Sequence, residues 1–138
     1  MSRPKVLVAT RGGQALLDFA IHYTQSLGGT LMLMFVRQVN VLMLGQPPKG
    51  ALEEDPEAQV IFRRADEACR KAGVPLVPIY VESPDIGYAI LDHAATYNVE
   101  SVLMGVTRQA VLLRALRGDV LAAVAKHLPE NIPLLIHA

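Results

Sequence analysis

Five short, uninterrupted apolar runs recur along the chain, and the segments between them are patterned as helices. The runs are Val6–Ala9 (VLVA), Thr30–Val36 (TLMLMFV), Val74–Val81 (VPLVPIYV), Val102–Met104 (VLM) and Pro133–Ile136 (PLLI). They are too short for helices and lack the apolar–polar alternation of a sheet with one wet face. Runs of this kind suit strands buried on both sides, which arise when a parallel sheet is covered by helices on both faces. Pro75 and Pro78 cannot donate ladder hydrogen bonds, so the third run is expected at a sheet edge.

The intervening segments carry helix signals. Leu16, Ala20, Tyr23 and Leu27 recur at helical spacing and stop at Gly28-Gly29, a left-handed C-cap pattern. Asp55-Pro56-Glu57 supplies a cap acceptor, a proline for the first helical position and an acid in the first turn. Ile61, Ala65, Ala68 and Ala72 follow on one face, and Gly73 ends the helix. Ser83-Pro84-Asp85 opens a third helix, with Ile86, Ile90, His93, Ala94 and Tyr97 near one face, and Val120–Leu128 forms a fourth. Strands alternating with helices define an α/β class, a mainly parallel sheet with right-handed crossovers. The 138 residues fit one domain spanning 1–138.

Charge and cysteine content narrow the function classes. Thirteen basic residues balance thirteen acidic ones, so no global field favours nucleic acid. A single cysteine, Cys69, rules out an internal disulfide framework and fits a reducing compartment. It reads as a small apolar residue on a helix face. The first residues lack a secretory h-region, and no apolar run reaches membrane-spanning length. A cytoplasmic location is expected. Residues 37–55 (RQVNVLMLGQPPKGALEED) combine prolines and glycines with apolar Val39, Val41, Leu42, Met43 and Leu44. They read as a loop covering the core or as a contact surface for a partner protein or membrane.

In doubly wound sheets, ligands bind beyond the carboxyl ends of the strands, where strand order reverses. If the first and fourth strands are neighbours, the loops facing that crevice are Thr10–Gly13 and Gly105–Gly118. Both contain glycine and arginine. After Gly118 come Asp119 and a strong helix former, and a helix start leaves backbone N–H groups free for an anion. Arg11, Arg108, Arg114 and Arg117 are the matching cations for an anionic ligand. They are equally readable as a solvated loop face.

Catalytic and metal motifs are missing. His22, His93 and His127 fall in helices, and His137 lies next to the end of the chain. There is no HExxH, CxxC, GxSxG, GxGxxG or GxxxxGK[ST] pattern. The sequence gives no catalytic residue and no metal site, and the expectation is a protein that is not an enzyme.

Over essentially its whole length the chain resembles the universal stress protein family. KVLVATRGG at the start, LMFV closing the second strand and MGVTRQAVLLRALRGDVLAAVAKHLPENIPLLIHA at the end carry the resemblance. It implies an adenine nucleotide alpha hydrolase-like fold, sheet order 3-2-1-4-5. It also implies a homodimer paired through the last strand, Pro133, Leu134, Leu135 and Ile136. Nucleotide-binding members share the motif glycine, two residues, glycine, nine residues, glycine, then serine or threonine. Here that frame holds Gly105, two residues, Arg108, nine residues, Gly118 and Asp119. The ligand site the resemblance implies is therefore Thr10, Arg11 and Gly12, with Val36 and Arg37, Gly105, Arg108, Gly118, Asp119 and Val120.

Two motif positions and one neighbour depart from the family. Arg108 puts a long side chain where the backbone should be bare. Asp119 puts a carboxylate at a helix start, where it can take the free N–H groups itself and repel phosphate. Arg11 stands where nucleotide-binding members carry an acid near the ribose. An arginine at 11 or 108 paired with Asp119 would close the site with an internal salt bridge. ATP or another adenine nucleotide is the ligand class implied by the resemblance, and no cofactor is required.

Short phrases also resemble stress-protein-like domains at the cytoplasmic C-terminus of some bacterial amino-acid permeases. They are ATRGG, EEDPEAQ, LRGDV and HLPE. That context would place the chain on the cytoplasmic face of the inner membrane with a transporter as partner. The expected function is a non-catalytic regulatory or interaction domain with a degenerate nucleotide site, linked to amino-acid transport. The alternative is a sensor holding ATP, AMP or a cyclic dinucleotide between strands 1 and 4.

Overall fold

The first strand is covered on both faces. In the computed structural model, which describes residues 3–39, 52–105 and 120–137, β1 (Lys5–Ala9) sends Val6 and Val8 into one apolar layer and Leu7 into the other. All three are fully buried. Completely burying an aliphatic side chain is worth about 1.5–3 kcal/mol, so β1 is the axis on which both layers condense. α1 (Gln14–Leu27), β2 (Thr30–Gln38), a 3₁₀ turn (Leu52–Glu54), α2 (Pro56–Ala72), β3 (Leu76–Ser83) and α3 (Ile86–Thr96) follow. β4 (Ser101–Gly105), α4 (Val120–His127) and β5 (Leu134–His137) complete the order.

The strands form one parallel sheet ordered β3-β2-β1-β4-β5, the order the family resemblance implies. α1 and α2 pack on the face of Val8, Leu33, Phe35 and Leu103. α3 and α4 cover Leu7, Met34, Val36, Val102 and Met104. The chain moves outward from β1 through β2 to β3, then crosses to β4 and β5. Strand order thus reverses between β1 and β4. Gly29 ties the base of β1 to β2. A Cβ there would stand 2.5 Å from the Pro4 carbonyl oxygen, which the Thr30 N–H uses as an acceptor at 2.8 Å.

The helix starts follow the sequence. The Asp55 carboxylate accepts from Ala58 N–H at 3.1 Å, and Asp85 accepts from Tyr88 N–H at 3.0 Å. The buried faces overlap those expected, with Leu16, Ala20, Ala65, Ile90 and Ala94 inside, but their limits are shifted. α1 buries Leu16, Leu17, Ala20, Ile21 and Thr24, while Leu27 is exposed. Thr24 escaped the apolar pattern because its hydroxyl donates to Ala20 O within its own helix, at 2.7 Å, which lets a polar residue be buried. α2 buries Ala58, Phe62, Ala65 and Cys69, since its largest ring takes the sheet side; Ile61, Ala68 and Ala72 are only partly buried. α3 buries Gly87, Ala89, Ile90 and Ala94, leaving Tyr97 exposed. Strands β2, β3 and β5 each run one or two residues further than their apolar runs, because ladder bonds continue past the last apolar side chain.

Candidate functional site at the carboxyl end of the sheet

Strand order reverses between β1 and β4, and folds of this kind bind ligands beyond the carboxyl ends of the strands at such a reversal. β1 ends in a last rung, Thr10 N–H donating to Met34 O at 3.0 Å. The Thr10 side chain is buried, and its Oγ1 accepts from Gly12 N–H at 2.9 Å. Gly12 has φ +106°, a conformation that favours glycine, and a Cβ there would meet Ile61 Cδ1 at 3.2 Å. The chain turns here into α1, whose N-cap residue Gly13 makes no side-chain cap.

Arg11 reaches sideways along the sheet, away from β4. Its Nη1 donates to Val36 O at 3.0 Å, and its Cζ lies 5.6 Å from the centroid of the Phe35 ring. Phe35 stacks on Tyr80, with centroids 6.0 Å apart and planes 10° apart. The Tyr80 hydroxyl donates to Asp55 Oδ2 at 2.9 Å. Asp55 therefore caps α2 with one oxygen and anchors β3 with the other. Partial burial and the Asp55 carboxylate push the Tyr80 phenol above its usual range, and the Tyr80 hydroxyl raises Arg37 from its ordinary value. Arg37 lies opposite Glu82 in the β2–β3 register.

On the β4 side, Gly105 lies against α1. A Cβ at Gly105 would stand 3.2 Å from Leu16 Cδ2, so the bare position serves close helix–strand packing. Val120 opens α4 and packs on the α3–α4 layer. A small cavity of about 10 Å³ lies between α1 and α2, lined by Thr10, Gln14, Leu17, Leu33, Ile61 and Arg64. It has room for about one water molecule. Arg108, Arg114, Arg117, Gly118 and Asp119 lie outside the described residues, as do Val41, Leu42, Met43 and Leu44.

The structure thus brings Thr10, Arg11, Gly12 and Val36 into one hydrogen-bonded group, with Arg37 next to it through Tyr80. It also gives Arg11 a partner that sequence reasoning did not propose, a backbone carbonyl. Tyr80 and Asp55 were missed as neighbours of the site. Asp55 was legible as a cap, but nothing local shows that a tyrosine 25 residues later shares it. Among the described residues no group of three or more His, Cys, Asp and Glu side chains could hold a metal, and no helix is long and apolar enough to cross a membrane. Cys69 is buried, and burial pushes its thiol up to about 11.

With this geometry in place, comparison with known proteins gives a consistent result. The model of the universal stress protein family matches residues 3–136. No curated protein matches the chain. A universal stress protein solved in complex with cAMP superposes with a TM-score of 0.73 at 17% identity, covering 99% of this chain and 98% of that one. One from Archaeoglobus fulgidus in complex with dAMP gives 0.71 at 18%, covering 99% and 98%. A family protein from Arabidopsis thaliana with AMP bound gives 0.62 at 14%, covering 98% and 92%. At such identities the structural likeness speaks for the fold.

Proposed function

The chain belongs to the universal stress protein family, and from that premise we propose that it is a regulatory domain that works by association, with a degenerate nucleotide site. The observation that carries this reading is the outer edge of β5, which pairs with no further strand among the described residues. Val102 N–H donates to Pro133 O, and Val102 stands opposite Leu134. In a parallel ladder the odd residues 133, 135 and 137 then turn their backbone groups to β4. Leu134 and Ile136 turn theirs outward, and the Ile136 side chain is 54% exposed. Such an edge is a template for a second strand, so a homodimer through Pro133, Leu134, Leu135 and Ile136 follows. The degenerate site rests on chemistry already in the sequence. Arg108 and Asp119 replace a bare glycine and a phosphate-donating hydroxyl.

The link to amino-acid transport belongs to the same proposal and is supported by the phrases ATRGG, EEDPEAQ, LRGDV and HLPE. A cytoplasmic setting, with a transporter as partner, is part of it. Reading the coding sequence upstream of this domain tests that link; an unrelated upstream neighbour would remove it. The second reading, an adenine-nucleotide sensor, is favoured by the cAMP, dAMP and AMP in the solved relatives.

Two measurements separate the readings. Light scattering of the purified domain is expected to give twice the chain mass, and a monomer at high concentration would count against the β5 dimer. Calorimetric titration with ATP, AMP and cyclic dinucleotides is expected to give no heat. Micromolar ATP binding would favour the sensor.

A further inference from the structure

Val36 marks the place where the β1–β2 ladder runs out. Ala9 stands opposite Met34, and Thr10 N–H bonds to Met34 O. Continued for two residues, that parallel register would bring Gly12 N–H to Val36 O. The chain does something else. Thr10 Oγ1 takes the Gly12 N–H at 2.9 Å, and the positive φ of Gly12 turns the backbone toward α1. The Val36 carbonyl, on a residue only 3% exposed, is left as a vacated rung. Arg11 Nη1 fills it at 3.0 Å.

We propose that Arg11 is a built-in competitor at this vacated rung, holding the Val36 carbonyl against the exocyclic amino group of a planar base. Three features support exchange. The donor belongs to a side chain that is exposed, so withdrawing it breaks no ladder bond. The guanidinium is flat and lies over the ring of Phe35, which stacks in turn on Tyr80, so a planar ring carrying an amino group matches both its shape and its hydrogen bond. A buried carbonyl left without a donor is costly, so the position favours one occupant or the other over none. A displaced guanidinium keeps its charge and can turn to a phosphate of the incoming ligand. A nucleotide is therefore better placed than a nucleoside to displace it.

This inference rests on the sensor reading of the same crevice, and its test is built to separate the two. The test uses adenosine and inosine, which carry no phosphate, so Arg108 and Asp119 do not enter the result. Adenosine presents an amino group where inosine presents an oxo group. Arg11→Met keeps an unbranched apolar side chain and removes every donor. Calorimetry is expected to show Arg11→Met binding adenosine at least about tenfold more tightly than the unaltered domain, about 1.4 kcal/mol, with inosine unchanged. Arg11→Ala should behave alike, which guards against the methionine filling the space it was meant to vacate; thermal melts by circular dichroism confirm that both variants fold. Equal adenosine affinity with and without Arg11, an equal gain for inosine, or no adenosine binding by either folded variant would each overturn the proposal. Any of these would leave the β5 association reading standing. Heat from ATP in the unaltered domain bears on the sensor reading alone.

Discussion

The two edges of the sheet are built differently. β3 stands opposite β2 with Leu76 facing Leu31, and Leu31 N–H donates to Pro75 O. The odd residues of β3 thus face the ladder and the even ones face outward. Pro78 falls on an outward position, so the edge loses a donor where a second strand would need one. The far end of β3 is tied down through Tyr80 and the α2 cap, and by Val39 N–H to Ser83 O at 3.0 Å. β5 has four residues, and neither of its outward positions, Leu134 or Ile136, is a proline. α1 meets it through Phe19, whose ring sits 5.0 Å from that of His137, while Leu135 packs on the layer that α1 covers. Among the described residues, one edge lacks a donor at an outward position and the other keeps both of its outward donors. Side-chain hydrophobicity alone would not separate them, since Val77 on β3 is also exposed, at 42%. The backbone donor decides.

The largest expected effect comes from giving β5 the device that β3 already has. Ile136→Pro removes an outward N–H without touching the bonds to β4. Dimer dissociation, followed by sedimentation velocity, should rise by about a hundredfold, about 2.8 kcal/mol, while the melting temperature at low protein concentration stays put. Unchanged association would dissolve the contrast between the edges. Next comes the lock on the β3 edge. Asp55→Ala removes both the α2 cap and the acceptor of Tyr80, at a cost of about 1–2 kcal/mol. Tyr80→Phe should cost less, about 1 kcal/mol, because the cap survives. Chemical denaturation measures both, and equal losses would mean the tyrosine bond, rather than the cap, supplies the stability.

A smaller change tests the proline itself. Pro78→Thr restores an outward donor at a residue with good strand propensity. Stability should change by no more than about 0.5 kcal/mol, but light scattering should show new, concentration-dependent species larger than the dimer. Their absence would show that β3 is protected by something other than Pro78. The smallest effect at neutral pH concerns Cys69 in α2, on the layer next to β3. Its folded pKa of about 11 lies above the ordinary value of 9.0. The folded state therefore holds the thiol proton more tightly than the unfolded chain. That contribution is fully present below pH 9 and is lost as pH rises toward 11. Urea midpoints should be level from pH 7 to 9 and then fall, with a shallower fall in Cys69→Ala, and the native thiol should resist thiol-reactive dye at pH 8. An identical alkaline fall in both proteins would assign it to other groups.

Much of the fold was legible because its signals are local. Continuous apolar runs marked strands buried on two faces, Asp55-Pro56 and Asp85 marked helix starts, and Pro78 marked an edge. The full extent of the buried faces of α1, α2 and α3 was not legible, although Leu16, Ala20, Ala65, Ile90 and Ala94 were placed inside. Which side of a helix meets a sheet depends on the partner surface, and a satisfied threonine such as Thr24 can lie inside. At the site, the sequence picked out Thr10, Arg11, Gly12 and Val36 through family resemblance and loop position. It offered Arg11 an anionic ligand or, at position 11 or 108, an arginine pairing with Asp119, because local chemistry offers charges to a cation; Asp119 lies outside the described residues. The strand-end carbonyl of Val36, 25 residues away, becomes a partner only when the β1–β2 ladder stops.

The sequence by itself determined the α/β class, the strand runs, the caps and the charges placed in the motif frame. These follow from residue chemistry over a few neighbouring positions. The tertiary structure decided which edge positions face outward, which face of each helix is buried and what Arg11 holds. Each of those depends on register between strands distant in the chain. Moving a register by one residue would exchange inward and outward backbone groups, and with them the roles of Pro78, Ile136 and Val36.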